Sequence, residues 1–162
     1  MYDIILKNCS IVNENQITES DIAIKNQRID LISTSIDFKA KEIIDLNGRF
    51  VIPGLIDDQV HFREPGLTHK EDIFHGTMGA VLGGVTSIFE MPNTKPPTTN
   101  LKELTNKFKI AEKSGFCNFS FFIGATRENI EEINELESIS GCCGVKIFMG
   151  SSTGCLLYTS DS

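Results

Sequence analysis

The chain has 162 residues, 40% of them hydrophobic, and a formal net charge of −7. That is ordinary for one globular domain and excludes a disordered polyelectrolyte. The acidic balance argues against nucleic acid or an anionic membrane as partner, and no apolar run reaches the roughly 18 residues of a membrane span.

The N-terminus lacks a basic region followed by a signal-peptide core, so the cytoplasm is the expected compartment. Residues 1–52 read as a β-rich segment. Ile4 and Leu6 alternate with polar neighbours, as do Ile22 and Ile24, then Ile29 and Leu31, and Asn26-Gln27 and Asn47-Gly48 supply turn chemistry. Nothing in this segment assembles a catalytic constellation.

After Pro53 the rhythm changes. Apolar strand candidates fall near 55–60, 85–90, 117–123 and 145–149, with helical patterns between them. Thr68 with Glu71 reads as the capping box of a first helix that stops at Gly83-Gly84. Asn100 with Glu103 opens a second helix, on which Leu101, Leu104, Phe108 and Ala111 share a face, and Ile130, Ile133 and Leu136 mark a third. Repeated strand–helix units of this length build a parallel sheet. Four units fit either an open four-stranded sheet or half of an eight-fold barrel, and periodicity alone does not choose.

The polar residues that interrupt these strands carry the functional reading. The run Gly54-Leu55-Ile56-Asp57-Asp58-Gln59-Val60-His61-Phe62-Arg63-Glu64-Pro65-Gly66 leaves a Pro-Gly turn as a buried strand and then collects Asp, Gln, His, Arg and Glu at its C-terminal end. Packing gives no reason for that, whereas catalytic groups of barrel enzymes sit at such ends. Gln59 and His61, one residue apart on a strand, point to the same side, as two ligands of one metal must. Lys146, flanked by Val145, Ile147, Phe148 and Met149, reads as an amine on a buried strand, whose proton is more easily lost. Arg63 and Asn93 follow the first and second strands and could converge on a carboxylate, the arginine fork through two parallel hydrogen bonds. Salt bridging of Arg63 to Glu64 or Asp58, and a turn role for Asn93 before Thr94, are the structural alternatives.

Other polar groups read as structural. His69 lies at a helix start and His75 on an exposed helix face. Gly83-Gly84 has no following GK[ST], Ser151-Ser152 has no neighbouring histidine base, and the five cysteines, with Cys142-Cys143 adjacent, form neither a disulfide framework nor a CxxC pair.

Together with Met91-Pro92-Asn93-Thr94 and Gly144-Val145-Lys146-Ile147-Phe148-Met149-Gly150-Ser151-Ser152-Thr153-Gly154, the run from Gly54 resembles the dihydroorotases of the cyclic amidohydrolase family, a likeness spanning Tyr2 to about Gly154. The resemblance implies an α/β fold: the N-terminal half of a metal-dependent hydrolase (β/α)8 TIM barrel, preceded by a small β-sandwich segment. Residues 1–52 would be the sandwich segment and 53–154 the first four β/α units. Residues 155–162 depart from the family's continuation and read as a non-native tail. His61 and Lys146, the latter as a carbamate, would be metal ligands for one or two zinc ions. The family has His-x-His where this chain has Gln59 and His61, and a neutral amide oxygen is a weaker zinc ligand than imidazole. Arg63 and Asn93 would hold the substrate carboxylate, while two further histidines and the acid/base aspartate are expected beyond residue 162. The implied reaction interconverts (S)-dihydroorotate and N-carbamoyl-L-aspartate in pyrimidine biosynthesis, with a homo-oligomer or an aspartate transcarbamoylase as the protein partner. Hydantoinases and allantoinases generally lack this Arg. Another cyclic amidohydrolase, or a dihydroorotase-like scaffold without catalysis, are the other readings.

Overall fold

The computed structural model describes residues 1–148. The Met149–Gly154 part of the third motif and the tail 155–162 lie outside the described residues. The chain divides into two compact units, Met1–Pro53 and Gly54–Ser162.

The first unit is a five-stranded sheet. It comprises β1 (Tyr2–Asn13), β2 (Gln16–Lys25), β3 (Arg28–Ser33), β4 (Ala40–Asp45) and β5 (Phe50–Val51), in the order β3-β2-β1-β4 with β5 also on β1. Two hairpins turn through left-handed pairs, Glu14-Asn15 (φ 50° and 60°) and Asn26-Gln27 (φ 50° and 62°), the backbone twist that two-residue hairpins need. The alternation expected from Ile4 and Leu6 selects the wrong face. Ile5, directly opposite Ala23, is fully buried, and Ile36 from the loop before β4 closes over the pair. Both faces of β1 carry isoleucine or leucine, so only the covering loop decides which one is the core. Buried Asp21 is the polar anchor here. Burial opposes its charge, but Lys7 Nζ (2.7 Å) and the amides of Asn8 and Ile36 (both 2.9 Å) donate to it and hold its carboxyl below the usual range.

The second unit is the α/β part. Strands β6 (Leu55–Val60), β7 (Val85–Glu90), β8 (Asn118–Gly124) and β9 (Cys142–Lys146) pair in parallel in sequence order, with α1 (Ile73–Leu82), α2 (Leu101–Ser114) and α3 (Ile133–Glu137) between them. Ile88, Phe121 and Ile123 meet Ile73, Leu104, Ala111 and Leu136 in one apolar core. With Ile88 and Glu90 turned toward the helices, Phe89 points to the opposite face, where it meets Phe122 edge-on at 6.4 Å.

The helix ends show where sequence signals succeed. Asn100 caps α2 as expected, its side chain accepting from the Glu103 amide at 2.9 Å. The Thr68–Glu71 capping box does not form. Asp72 is the cap, accepting from the His75 amide at 2.7 Å, while Glu64 accepts from the Ile73 amide at 2.8 Å. Residues 64–71 are spent on turns, so the helix begins later. Leu101 does not join the buried face of α2, being 54% exposed, and Lys107 lies within it instead. Helix α3 has only five residues and leaves Ile130 outside.

Asp72→Ala should loosen the first turn of α1 by about 1 kcal/mol, roughly a fivefold faster hydrogen exchange at Gly76 and Thr77. The His75 amide, and then its ring, hold the Asp72 carboxyl below its ordinary value. The cap's stabilisation is therefore complete above the ordinary carboxylate range and drains away as pH falls through the lowered value. Protection factors that are unchanged in the variant and flat with pH would show that Asp72 does not hold the helix.

Candidate active site

The site is built from strand tips. Val60 ends β6, and its carbonyl accepts from the Met91 amide at 3.0 Å, carrying the β6–β7 pairing beyond Glu90. The following loops are tied as well, Lys95 N–H to the Pro65 carbonyl at 3.0 Å, and Gly66 (φ +86°) comes so close to the Lys95 carbonyl that a Cβ there would collide with it. Farther along the edge, the Gly124 amide donates to the Thr98 carbonyl and the Ala125 amide to the Lys146 carbonyl, each at 2.9 Å. Backbone bonds thus tie the end of β6 to the residue after β7, the loop after β7 to the end of β8, and the residue after β8 to the end of β9.

Phe62 sets the direction of its neighbours. Its ring is buried against α1 at Gly76, where any Cβ would strike the ring. Phe62 therefore points into the helix layer, and His61, one residue before it, takes the other side. The Nδ1–H of half-buried His61 donates to Oδ1 of buried Asn93 at 2.7 Å. That bond puts the hydrogen of a neutral ring on Nδ1 and leaves Nε2 with a free lone pair. Asn93 is itself held in a tight turn, with the amides of Thr94 and Thr98 both donating to the Pro92 carbonyl at 2.9 Å, and the Thr94 hydroxyl to the Pro96 carbonyl at 2.9 Å.

Arg63 follows in a left-handed conformation (φ 66°), uncommon for a residue with a long side chain. Its Nη1 approaches the Asn93 carbonyl at 3.5 Å, the outer limit of a hydrogen bond. Among the described residues it has no carboxylate partner, and Glu64 is occupied with the Ile73 amide. Gln59 lies exposed in β6. Lys146 is the last residue of β9, half-buried, with its ammonium 5.4 Å from the centre of the Phe148 ring. The expected strand at 145–149 runs instead from 142 to 146, which places Lys146 at the tip.

The structure thus joins His61, Asn93 and Arg63 directly. It places Gln59 and Lys146 on the same sheet but in no hydrogen bond with them among the described residues. Among those residues no three His, Cys, Asp or Glu side chains converge, and Gln59 and Lys146 stand on strands at opposite ends of the four-stranded sheet. His61 fits the role of a metal ligand, because a ligating imidazole usually gives its second N–H to an acceptor, as it does here to Asn93. His75 is exposed and paired with Asp72, and His69 is exposed.

Lys107 was missed by sequence reasoning. It lies fully buried on α2, donating to the Glu90 carboxylate and, at 3.0 Å, to the Met91 carbonyl. Burial pushes its ammonium down to about 7. A lysine in a helix carries no local signal of burial; the one clue was acidic Glu90 inside an apolar strand.

The family model described as dihydro-orotase-like matches residues 48–151. A dihydroorotase of Methanosarcina acetivorans is 37% identical over 95% of this chain and 33% of its own length. An allantoinase of Desulfitobacterium hafniense is 36% identical over 91% of this chain and 33% of its own. Among solved structures, L-hydantoinase from Arthrobacter aurescens superposes with a TM-score of 0.92 at 35% identity, covering 99% of this chain and 36% of that one. The chain belongs to the dihydroorotase-like family, and it spans about a third of the length of the relatives it matches.

Asn93→Ala should release the His61 ring. Nitrogen-15 NMR of the full-length protein should then show a mixture of tautomers where the parent shows hydrogen on Nδ1 alone. A single unchanged tautomer in the variant would mean that Asn93 does not orient His61.

Proposed function

We propose that this member of the dihydroorotase-like family forms the N-terminal part of a dihydroorotase, closing N-carbamoyl-L-aspartate to dihydroorotate and reopening the ring. The observation that carries the reading is Arg63. Its backbone is bent into a left-handed conformation beside the His61–Asn93 pair, and its fork meets no carboxylate of the described residues. A guanidinium so placed suits a substrate that brings its own carboxylate, as dihydroorotate does. Asn93 has its side-chain oxygen on His61, and its NH2 remains available to the same carboxylate.

Zinc is part of the proposal. Bound at His61 Nε2, it would supply an acidified water and polarise the ring carbonyl. The chain's own contribution is to hold the imidazole in one tautomer, to offer Gln59 from the same strand and to bring Lys146 as a carbamate. β6 and β9 are three strand spacings apart, roughly 14 Å in a flat sheet, so Lys146 and His61 can share a metal only if the sheet curves. Curvature of that kind is what an eight-stranded barrel imposes, and closure with four further strands from the remainder of a longer protein belongs to this reading.

Hydantoin or allantoin is the alternative ring, since relatives named for both match about equally well. Turnover assays on the three rings separate them: activity confined to hydantoin or allantoin would replace the dihydroorotate assignment. A scaffold without catalysis is the reading that Gln59 favours, and metal-replete full-length protein inactive on all three rings would establish it.

Arg63→Lys keeps the charge and loses the fork. The expected cost is about 2–3 kcal/mol, roughly 30- to 150-fold in kcat/KM on dihydroorotate, with metal content intact. An unchanged kcat/KM would remove Arg63 from the site.

Lys146→Ala and Lys146→Arg should both lower metal content and turnover, because neither side chain can carry a carbamate. Full metal loading with normal turnover in either variant would reduce Lys146 to a strand-end lysine.

A further inference from the structure

The buried pair Glu90–Lys107 has no role in the reading above, and its location is informative. Glu90 is the last residue of β7, three residues before Asn93, and Lys107 projects from the middle of α2. Both are essentially inaccessible. Lys107 donates to the Glu90 Oε2 and also to the Met91 carbonyl, the residue whose amide holds the tip of β6 through Val60. Its ammonium lies 5.0 Å from the centre of the Phe121 ring. The remaining Glu90 oxygen, Oε1, is buried without a hydrogen-bond partner among the described residues. A pair left partly unsatisfied in an apolar layer is a poor means of gaining stability, since apolar side chains of similar size would pack as well. What apolar side chains cannot do is grip a particular carbonyl.

We propose that Lys107 is a positioning residue, which clamps Glu90 and the Met91 carbonyl so that the turn after β7 presents Asn93 to His61 in one geometry. Lys107 is bonded to Met91, Met91 is bonded to Val60, and two residues on Asn93 meets His61, itself the residue after Val60. The clamp thus closes a loop of contacts between α2, the tip of β7 and the tip of β6. Burial brings the Lys107 ammonium down to about 7, and the geometry of the clamp survives that change because the amine keeps N–H donors for Glu90 and the Met91 carbonyl in either form. The catalytic consequence rests on the proposed ring-hydrolysing function; the effect on His61 does not.

The test uses the full-length protein and two variants, Lys107→Met and the double variant Glu90→Leu with Lys107→Met. The double variant strands no charge and keeps the experiment decisive if the single one fails to fold. The first readout is the His61 ring tautomer by nitrogen-15 NMR. The second is kcat and KM on dihydroorotate across pH. The folded double variant should lose the single Nδ1–H tautomer and drop kcat by roughly 10- to 100-fold, with KM raised as Asn93 loses its hold on the substrate carboxylate. A folded double variant that retains the parent tautomer would overturn the proposal, as would one that retains the parent kcat in an active protein. If the parent turns over none of the three rings, the functional reading fails while the tautomer measurement still decides the clamp.

Discussion

The last rung of the ladder between β6 and β7, from the Met91 amide to the Val60 carbonyl, fixes the geometry of the whole edge. Parallel pairing forces neighbouring strands to end side by side, and this bond continues the alignment one step past the strands. His61 and Asn93 are thereby brought within 2.7 Å although they are far apart in sequence. Displacement of either strand by one residue would turn its side chains to the opposite face and separate them.

Around that rung the protein accepts unfavourable local choices. Arg63 adopts a left-handed backbone, Asn93 is buried in a turn, and a lysine and a glutamate are enclosed beneath them. Each is costly alone, and they occur together at the tips of the first two strands. The apolar core beneath, from Ile73 through Phe121 to Leu136, supplies the rigidity on which such choices depend. A soft layer there would let the His61 ring rotate.

Much of this was legible in the sequence. Strands after Pro53 were visible as apolar runs with polar residues at their ends, but β6, expected to be a buried strand, is exposed from Leu55 to Gln59. Asn100 was readable as a cap because its partner lies three residues on. Other features depended on tertiary context. Asp72 outcompeted Thr68 as the α1 cap because the residues before it are consumed by turns tied to the neighbouring loop. Ile5 was the buried residue of β1 because the loop bearing Ile36 covers that face. Lys107 carried no local signal of burial, and only the acidic Glu90 inside an apolar strand hinted at a buried partner. Asn93, read as a substrate ligand, first shows itself as the acceptor that fixes His61, a relation between two strands that no local pattern encodes.

The central claim is that these strand tips hold His61 ready to bind a metal through Nε2. A crystal structure of the full-length protein with zinc, using anomalous scattering at the zinc edge, tests it most directly. The account predicts a peak about 2.0–2.1 Å from His61 Nε2, with Nδ1 still on Asn93. A zinc-loaded crystal with no peak at His61, or with Nε2 turned to a protein hydrogen bond instead, would contradict it.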